Sequence, residues 1–340
     1  MTSRRRGMRG AFGLRAVAAI FGFALLAAVA ASLLPNDAYQ RFQLLDGTIY
    51  QSLRWDYERI HFDSRPVDVA IVGPSTSVLG LSAPRLEQDL QARGKPAAVA
   101  NFSIIADGRN VQWAIVHELF QAKKPKVIVI AIDRDSHPWG HEAFKYVAPA
   151  SAVAFPPDPL LHNVLYDIVY LPFRQLEVFA AGLSPRDFGM TGAFDPVRYA
   201  RTPIDLSVSH RMEDGKWIEM DRRIPRETLL ADHRRHVEHL KRTLVPRALS
   251  RIVEADNEVY IREIAREAAM RGTRLVFVYI PIFNAAPGIK NRALYQRYGQ
   301  VQDNSDLAGD DWLYQGWAHL NHAGAMELTD RVAAAVAPVL

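Results

Sequence analysis

Apolar positions along the chain follow three successive patterns, and each predicts a different kind of element. From Ala16 to Leu34 the run is continuous and uncharged, and Pro35-Asn36-Asp37 stops it. That is about 19 residues, close to the ~20 a helix needs to cross a bilayer. Residues 36–65 are mixed in character, with a helical stretch expected through Tyr50–Ile60. Short β-branched runs then alternate with amphipathic ones. Asp68–Val72 predicts a strand closed by Gly73-Pro74. Ala83–Arg93 predicts a helix with Leu86 and Leu90 on one face and Gly94 as its stop. Ala97–Ile104 predicts a second strand and Val111–Gln121 a second helix. Lys126–Ile132 predicts a third strand, apolar on both faces. Strands of this kind separated by helices mean a mostly parallel sheet covered on both sides, a three-layer α/β/α arrangement.

The alternation breaks after Asp133. Residues 137–225 are rich in proline and aromatic residues, with a helical, rather apolar stretch at Leu160–Leu183 around Pro172. A hairpin is expected at Val208–Asp221, turning at Asp214-Gly215. This whole stretch reads as an inserted cap. Helices are expected at 226–245 and 254–271, a fourth core strand at Arg274–Ile280, and a last helix after His322. The domain organisation expected is therefore a basic tail (1–15), a span (16–34), a juxtamembrane connector (35–65) and one domain (66–340) with the insertion at 137–225.

Charge adds a direction to the first segment. Arg4, Arg5, Arg6, Arg9 and Arg15 all precede the apolar run, and none lies within it. The positive-inside rule places this tail in the cytoplasm and the domain outside, as in a single-pass protein of an inner membrane. A cleaved signal peptide, cut near Ala28-Val29-Ala30, is the competing reading. The formal net charge of +4 is accounted for by these arginines. It is thus a topology signal, and no nucleic-acid partner is expected. With no cysteine in 340 residues, disulfides, thiolate metal sites and a cysteine nucleophile are excluded.

The candidate chemistry lies in two segments far apart in the chain. Ser75 follows the first strand, at the carboxyl edge where parallel sheets bind ligands. There its hydroxyl can be exposed beside backbone N–H groups able to hold an oxyanion; capping of the next helix by Ser75 or Ser77 is the alternative. His319 lies in a loop before the last helix. A serine nucleophile needs a base within hydrogen-bond reach, in any chain order. Asn321 is placed to cap the final helix. His233, His236 and His239 recur at helical spacing beside Asp232, but Arg234, Arg235 and Arg242 mark a solvated polar face. No metal or cofactor is expected there. Asp133-Arg134-Asp135-Ser136-His137 sits at a strand's carboxyl end, suited to ligand contact or to ion pairing within the loop. Trp139, Trp312, Tyr314 and Trp317 are suited to stacking on sugar rings or to core packing.

Together Gly73-Pro74-Ser75 and His319-Leu320-Asn321 with Gly324 resemble the first and last sequence blocks of the SGNH/GDSL hydrolase superfamily. The resemblance covers about residues 66–136 and 272–340. It looks most like the membrane-anchored, exported branch that includes alginate O-acetylation and D-alanyl transfer proteins. It implies an SGNH/flavodoxin-like fold with Ser75 as nucleophile and His319 as base. In Asn101–Gly108, Gly108 would match the glycine that lends an oxyanion-hole N–H beside that of Ser75. The function implied is O-acyl transfer or ester hydrolysis on a cell-envelope or exopolysaccharide glycan, or on an acylated small molecule. A membrane acyl-transfer partner would supply the acyl group. The chain departs from the family pattern at Pro74, where an aspartate is usual, and at Asp133, where an asparagine is usual. Gly316 stands three residues before the histidine in place of the aspartate that orients it. Asp310 and Asp311 are the nearest upstream acids able to substitute. Without a substitute, the implied alternative is a non-catalytic glycan-binding or polysaccharide-assembly component.

Overall fold

The computed structural model describes residues 3–132, 139–211, 215–243 and 247–340, with side chains from residue 15 on except over 239–257. Helix α1 (Ser3–Ser32) carries a stretch, Arg15–Ser32, that is long and apolar enough to cross a membrane and has no buried residue. Helix α2 (Ala38–Gln43) follows at once, its first turn capped by the Asp37 carboxylate, which accepts the Tyr39 N–H. Helix α3 is Ser52–His61. The stretch expected as a connector is packed into the domain. Tyr39, Phe42, Leu53, Tyr57 and Ile60 are buried in one cluster with residues of the central sheet.

That sheet has five strands: β1 (Val69–Val72), β2 (Val99–Asn101), β3 (Val127–Ile132), β4 (Arg274–Tyr279) and β5 (Gln300–Gln302). All pair in parallel, in the order β2-β1-β3-β4-β5. The four strands expected from the apolar runs are neighbours in it. Strand β2 is shorter than expected, although Phe102 and Ile104 still donate to the carbonyls of Ile71 and Gly73 beside β1. Strand β5, Gln-Val-Gln at the sheet edge, had no apolar run to announce it.

Strand residues point alternately to two helical layers. Ala70, Val72, Ile128, Ile130, Leu275 and Phe277 face α2, α3, α6 (Arg109–Ala122) and α11 (Arg247–Met270). Val69, Ile71, Val127, Val129, Val276 and Val278 face α5 (Ala83–Ala92) and α13 (His322–Val336). Helices α6 and α11 are also joined by polar contacts. Glu267 accepts from Trp113 Nε1 (3.1 Å), and His117 Nδ1 lies 3.2 Å from its carboxylate.

The described part of 137–225 lies outside the sheet. It holds α7 (Phe144–Val147), α8 (Ala150–Ala154), α9 (Val164–Leu183) and a short antiparallel pair, His210–Arg211 with Trp217–Ile218. Of the turn expected at Asp214-Gly215, Gly215 has a left-handed φ of 84°, while Asp214 lies outside the described residues. The remaining helices are α4 (Ser75–Gly80), α10 (Arg226–Thr243) and α12 (Arg292–Tyr298).

Candidate active site

The strand order reverses direction between β1 and β3, which makes the carboxyl end of β1 the topological switch point of the sheet. Gly73 lets the chain leave β1 there. A Cβ at this position would stand 2.5 Å from the Ala131 Cβ on β3. The Pro74 carbonyl then starts α4, accepting the N–H groups of Ser77 (3.0 Å) and Val78 (3.1 Å). The two serines of this turn have different surroundings. Ser77 is buried and its Oγ lies against the Pro74 carbonyl (2.7 Å) and Ser103 Oγ (2.9 Å), so it braces the turn. Ser75 Oγ faces His319 instead.

Asn101, at the end of β2, ties this turn to its neighbour. Its Nδ2 donates to the carbonyls of Ser77 (3.2 Å) and Leu81 (3.0 Å), and its Oδ1 accepts the Ser103 N–H. The loop after it bends through Ala106, at φ 73°, and Gly108, at φ 154°. Gly108 has to be glycine for a second reason: a Cβ there would lie 2.5 Å from His141 Cβ and backbone N. His141 supports this loop. Its Nδ1 accepts the Ala143 N–H (3.0 Å), so the ring proton sits on Nε2 and is donated to the Ile105 carbonyl (2.8 Å). Burial pulls the His141 pKa below its ordinary value, which keeps that neutral form. Asn110 Oδ1 accepts the His141 N–H (2.8 Å), and Asn163 Oδ1, at the start of α9, accepts the Gly140 N–H (2.7 Å).

His319 reaches the same point from the other end of the chain. Residues Tyr314–Gly316 and His319–Leu320 form a short antiparallel pair. Asn321 fixes the exit from this hairpin, accepting the Gly324 N–H through Oδ1 and donating to the Trp312 carbonyl through Nδ2 (2.7 Å). Asn321 thereby caps α13 as the sequence suggested. His319 Nε2 lies 3.0 Å from Ser75 Oγ. Burial lowers the pKa of His319, and the Asp107 carboxylate opposes that shift only in part. The ring is therefore neutral at pH 7, able to accept the Ser75 proton.

Neither acid expected to orient His319 reaches it. Asp310 accepts the Trp312 N–H and caps the short helix at Asp311–Leu313; Asp311 pairs with Arg226 at 3.1 Å. Neither hydrogen-bonds His319, and among the described residues nothing hydrogen-bonds its Nδ1. Asp133, Arg134, Asp135 and His137 lie outside the described residues. Tyr314 is fully buried, with its hydroxyl donating to the Pro281 carbonyl, so it is a core residue. Trp317 stacks on His236 at 4.0 Å between centroids, while Trp139 and Trp312 are exposed, the latter under the Arg223 guanidinium. Among the described residues no group of His, Asp and Glu is arranged to hold a metal ion. Sequence reasoning missed Asp107, His141 and Asn101. Asp107 and Asn101 lie in the stretch ending at Gly108. His141 sits in the proline-rich region, where no periodicity singled it out.

No family model matches the chain, and no curated protein matches it. Among solved structures, one titled "Crystal Structure of TesA" aligns with 80% of this chain and 99% of its own at 13% identity, with a TM-score of 0.37. The class this architecture defines is an α/β protein: a mostly parallel sheet between two helical layers, with an apolar N-terminal helix.

Proposed function

We propose that this is a membrane-anchored, exported serine acyl-transfer enzyme of the SGNH kind, acting on O-acyl groups of a cell-envelope or exopolysaccharide glycan. The observation that carries the reading is the 3.0 Å approach of His319 Nε2 to Ser75 Oγ at the switch point of the sheet. Supporting it, Gly108 stands across the loop with a conformation and a close neighbour that admit no side chain. Among the described residues nothing accepts the Gly108 N–H.

In this mechanism neutral His319 takes the Ser75 proton as Oγ attacks the acyl carbonyl. Charge gathers on the carbonyl oxygen, and the N–H groups of Gly108 and Ser75 stabilise it. The imidazolium then protonates the leaving alcohol, and the acyl group stays on Ser75. A water molecule completes hydrolysis, whereas a glycan hydroxyl completes transfer, with His319 again the base. The Asp107 carboxylate favours the imidazolium through its field. It substitutes in part for an acid behind the ring. Anchoring by α1 with the arginine tail in the cytoplasm puts this chemistry outside the membrane.

The test is Ser75→Ala in the full-length protein, assayed on a small acetyl ester and with a fluorophosphonate probe. Loss of both turnover and labelling, with the fold unchanged by circular dichroism, is the expected result. Retention of both would remove Ser75 from the chemistry and leave the glycan-binding reading. That among the described residues no acid hydrogen-bonds His319 Nδ1 is the observation that favours that second reading.

A further inference from the structure

Helix α9 has its polarity inside out. Arg174 and Gln175 are 0 % and 1 % exposed, whereas Leu165, Val169 and Phe173 beside them are 74 %, 59 % and 63 % exposed. Asp167 is buried as well. Asp167 accepts from Asn163 Nδ2 (2.9 Å) through one oxygen, while its other oxygen has no partner among the described residues; Arg174 and Gln175 are satisfied inward. Arg174 Nη1 donates to the carbonyls of Lys145 and Ala148, both at 2.8 Å. The outward stripe Leu165, Ile168/Val169, Phe173, Leu176 recurs at helical spacing, which is the signature of a face that needs an apolar surrounding. Phe155 and Leu160 extend it before the helix begins. A contiguous exposed surface of this kind marks an interaction site.

The place of α9 says what covers that surface. Gln175 Nε2 donates to the carbonyl of Leu34 (3.0 Å), at the end of the candidate span, and its Oε1 accepts from Asn36 Nδ2 (2.9 Å). α9 thus packs against α1 where α1 would leave the bilayer. With three charged residues, Asp167, Arg174 and Glu177, α9 is not among the helices apolar enough to span. We propose that the outward face of α9, with Phe155 and Leu160, is seated in the lipid of the same membrane, as a second, interfacial attachment of the domain. The exposed Tyr166 and half-buried Tyr170, whose ring centres lie 4.6 and 5.7 Å from Nζ of the buried Lys145, suit the interfacial level where tyrosines gather. This inference rests on reading α1 as a span.

The chain has no cysteine, so single-cysteine variants of the full-length protein label at one place. Leu165→Cys and Phe173→Cys would carry an environment-sensitive fluorophore in phosphatidylcholine vesicles doped with a nitroxide lipid. Leu25→Cys in α1 reports on the span, and Gln91→Cys on α5, across the sheet, is the aqueous control. Probes at 165 and 173 are expected to be blue-shifted and quenched about twofold or more by a nitroxide near the headgroup, for a face buried ~5–10 Å into the boundary. Probes at 165 and 173 that behave like the one at 91, while 25 is quenched, would defeat the proposal and leave the span. No quenching at 25, 165 or 173 would defeat both. A blue shift at 165 and 173 without lipid quenching would mean that protein covers the face, and the lipid assignment would fall.

Discussion

As the proposed base, His319 has to be neutral, and burial in the hairpin favours that form. A histidine whose pKa is lowered binds its proton only below the ordinary value of 6.5. The acidic limb of kcat/KM should therefore have its midpoint below pH 6.5, measured on a neutral ester. Asp107 pulls the other way, so Asp107→Asn should move that limb further to acid and also lower kcat, since the imidazolium loses its neighbouring charge. An unmoved limb would separate Asp107 from the chemistry. Gly108→Ala should reduce kcat by ~10²–10³-fold, the usual loss for one oxyanion donor, because the new methyl group meets His141 and the loop has to shift. The segments that bring Ser75 and His319 within 3.0 Å were singled out by local signals, a strand end and a late loop histidine, whereas Gly108 came only from the family resemblance. Asp107 and His141 were not legible in the sequence. Their roles come from a left-handed bend at Ala106 and from contact across about thirty residues, neither of which leaves a period in the chain.

At the level of elements, the pairing of α6 with α11 carries a charge-dependent contribution. The Glu267 hydrogen bond raises the His117 pKa above its ordinary 6.5, and the same contacts lower that of Glu267 below 4.5. A raised histidine contributes stability that is fully present below pH 6.5 and is lost as pH rises through the folded pKa. A lowered carboxylate contributes above pH 4.5 and loses it as pH falls through its own folded value. The pair therefore helps most between these limits. His117→Gln should lower stability by about 0.5–1 kcal/mol more at pH 5.5 than at pH 9, a small figure because His117 is partly exposed. Urea titrations in detergent at the two pH values would measure it; equal losses would remove the ion pair from the account. The strands with apolar runs were legible for a plain reason. Both faces of β1, β3 and β4 are buried, so every position asks for an apolar residue. Strand β5 is an edge with water beside it and asks for none. Helix α9 was visible as a helix, but its inverted polarity shows only when Arg174 and Gln175 are seen inside.

On the scale of the whole molecule, α1 and the domain form a single piece. A reporter fused after Leu340 should be active only outside the cytoplasm, and the protein should fractionate with membranes. Activity of a cytoplasmic reporter, or a soluble full-length protein, would overturn the topology. The sequence suggested a connector over 35–65 because its apolar residues are sparse and polar ones intervene. Those few, Tyr39, Phe42, Leu53, Tyr57 and Ile60, all turn to the same side and are buried there. Only Leu33–Asp37 separate the end of α1 from the first packed helix, and Gln175 holds two of those five residues. There is thus no leash. A domain of this size has a radius of gyration of about 19 Å. With α1 in the bilayer as proposed, the serine would be carried at a set altitude above the lipid and could not lean out to meet a distant polymer. A substrate would then have to pass within one molecular diameter of the bilayer. On that reading the enzyme would select chains still emerging at the membrane over those already woven into an outer matrix.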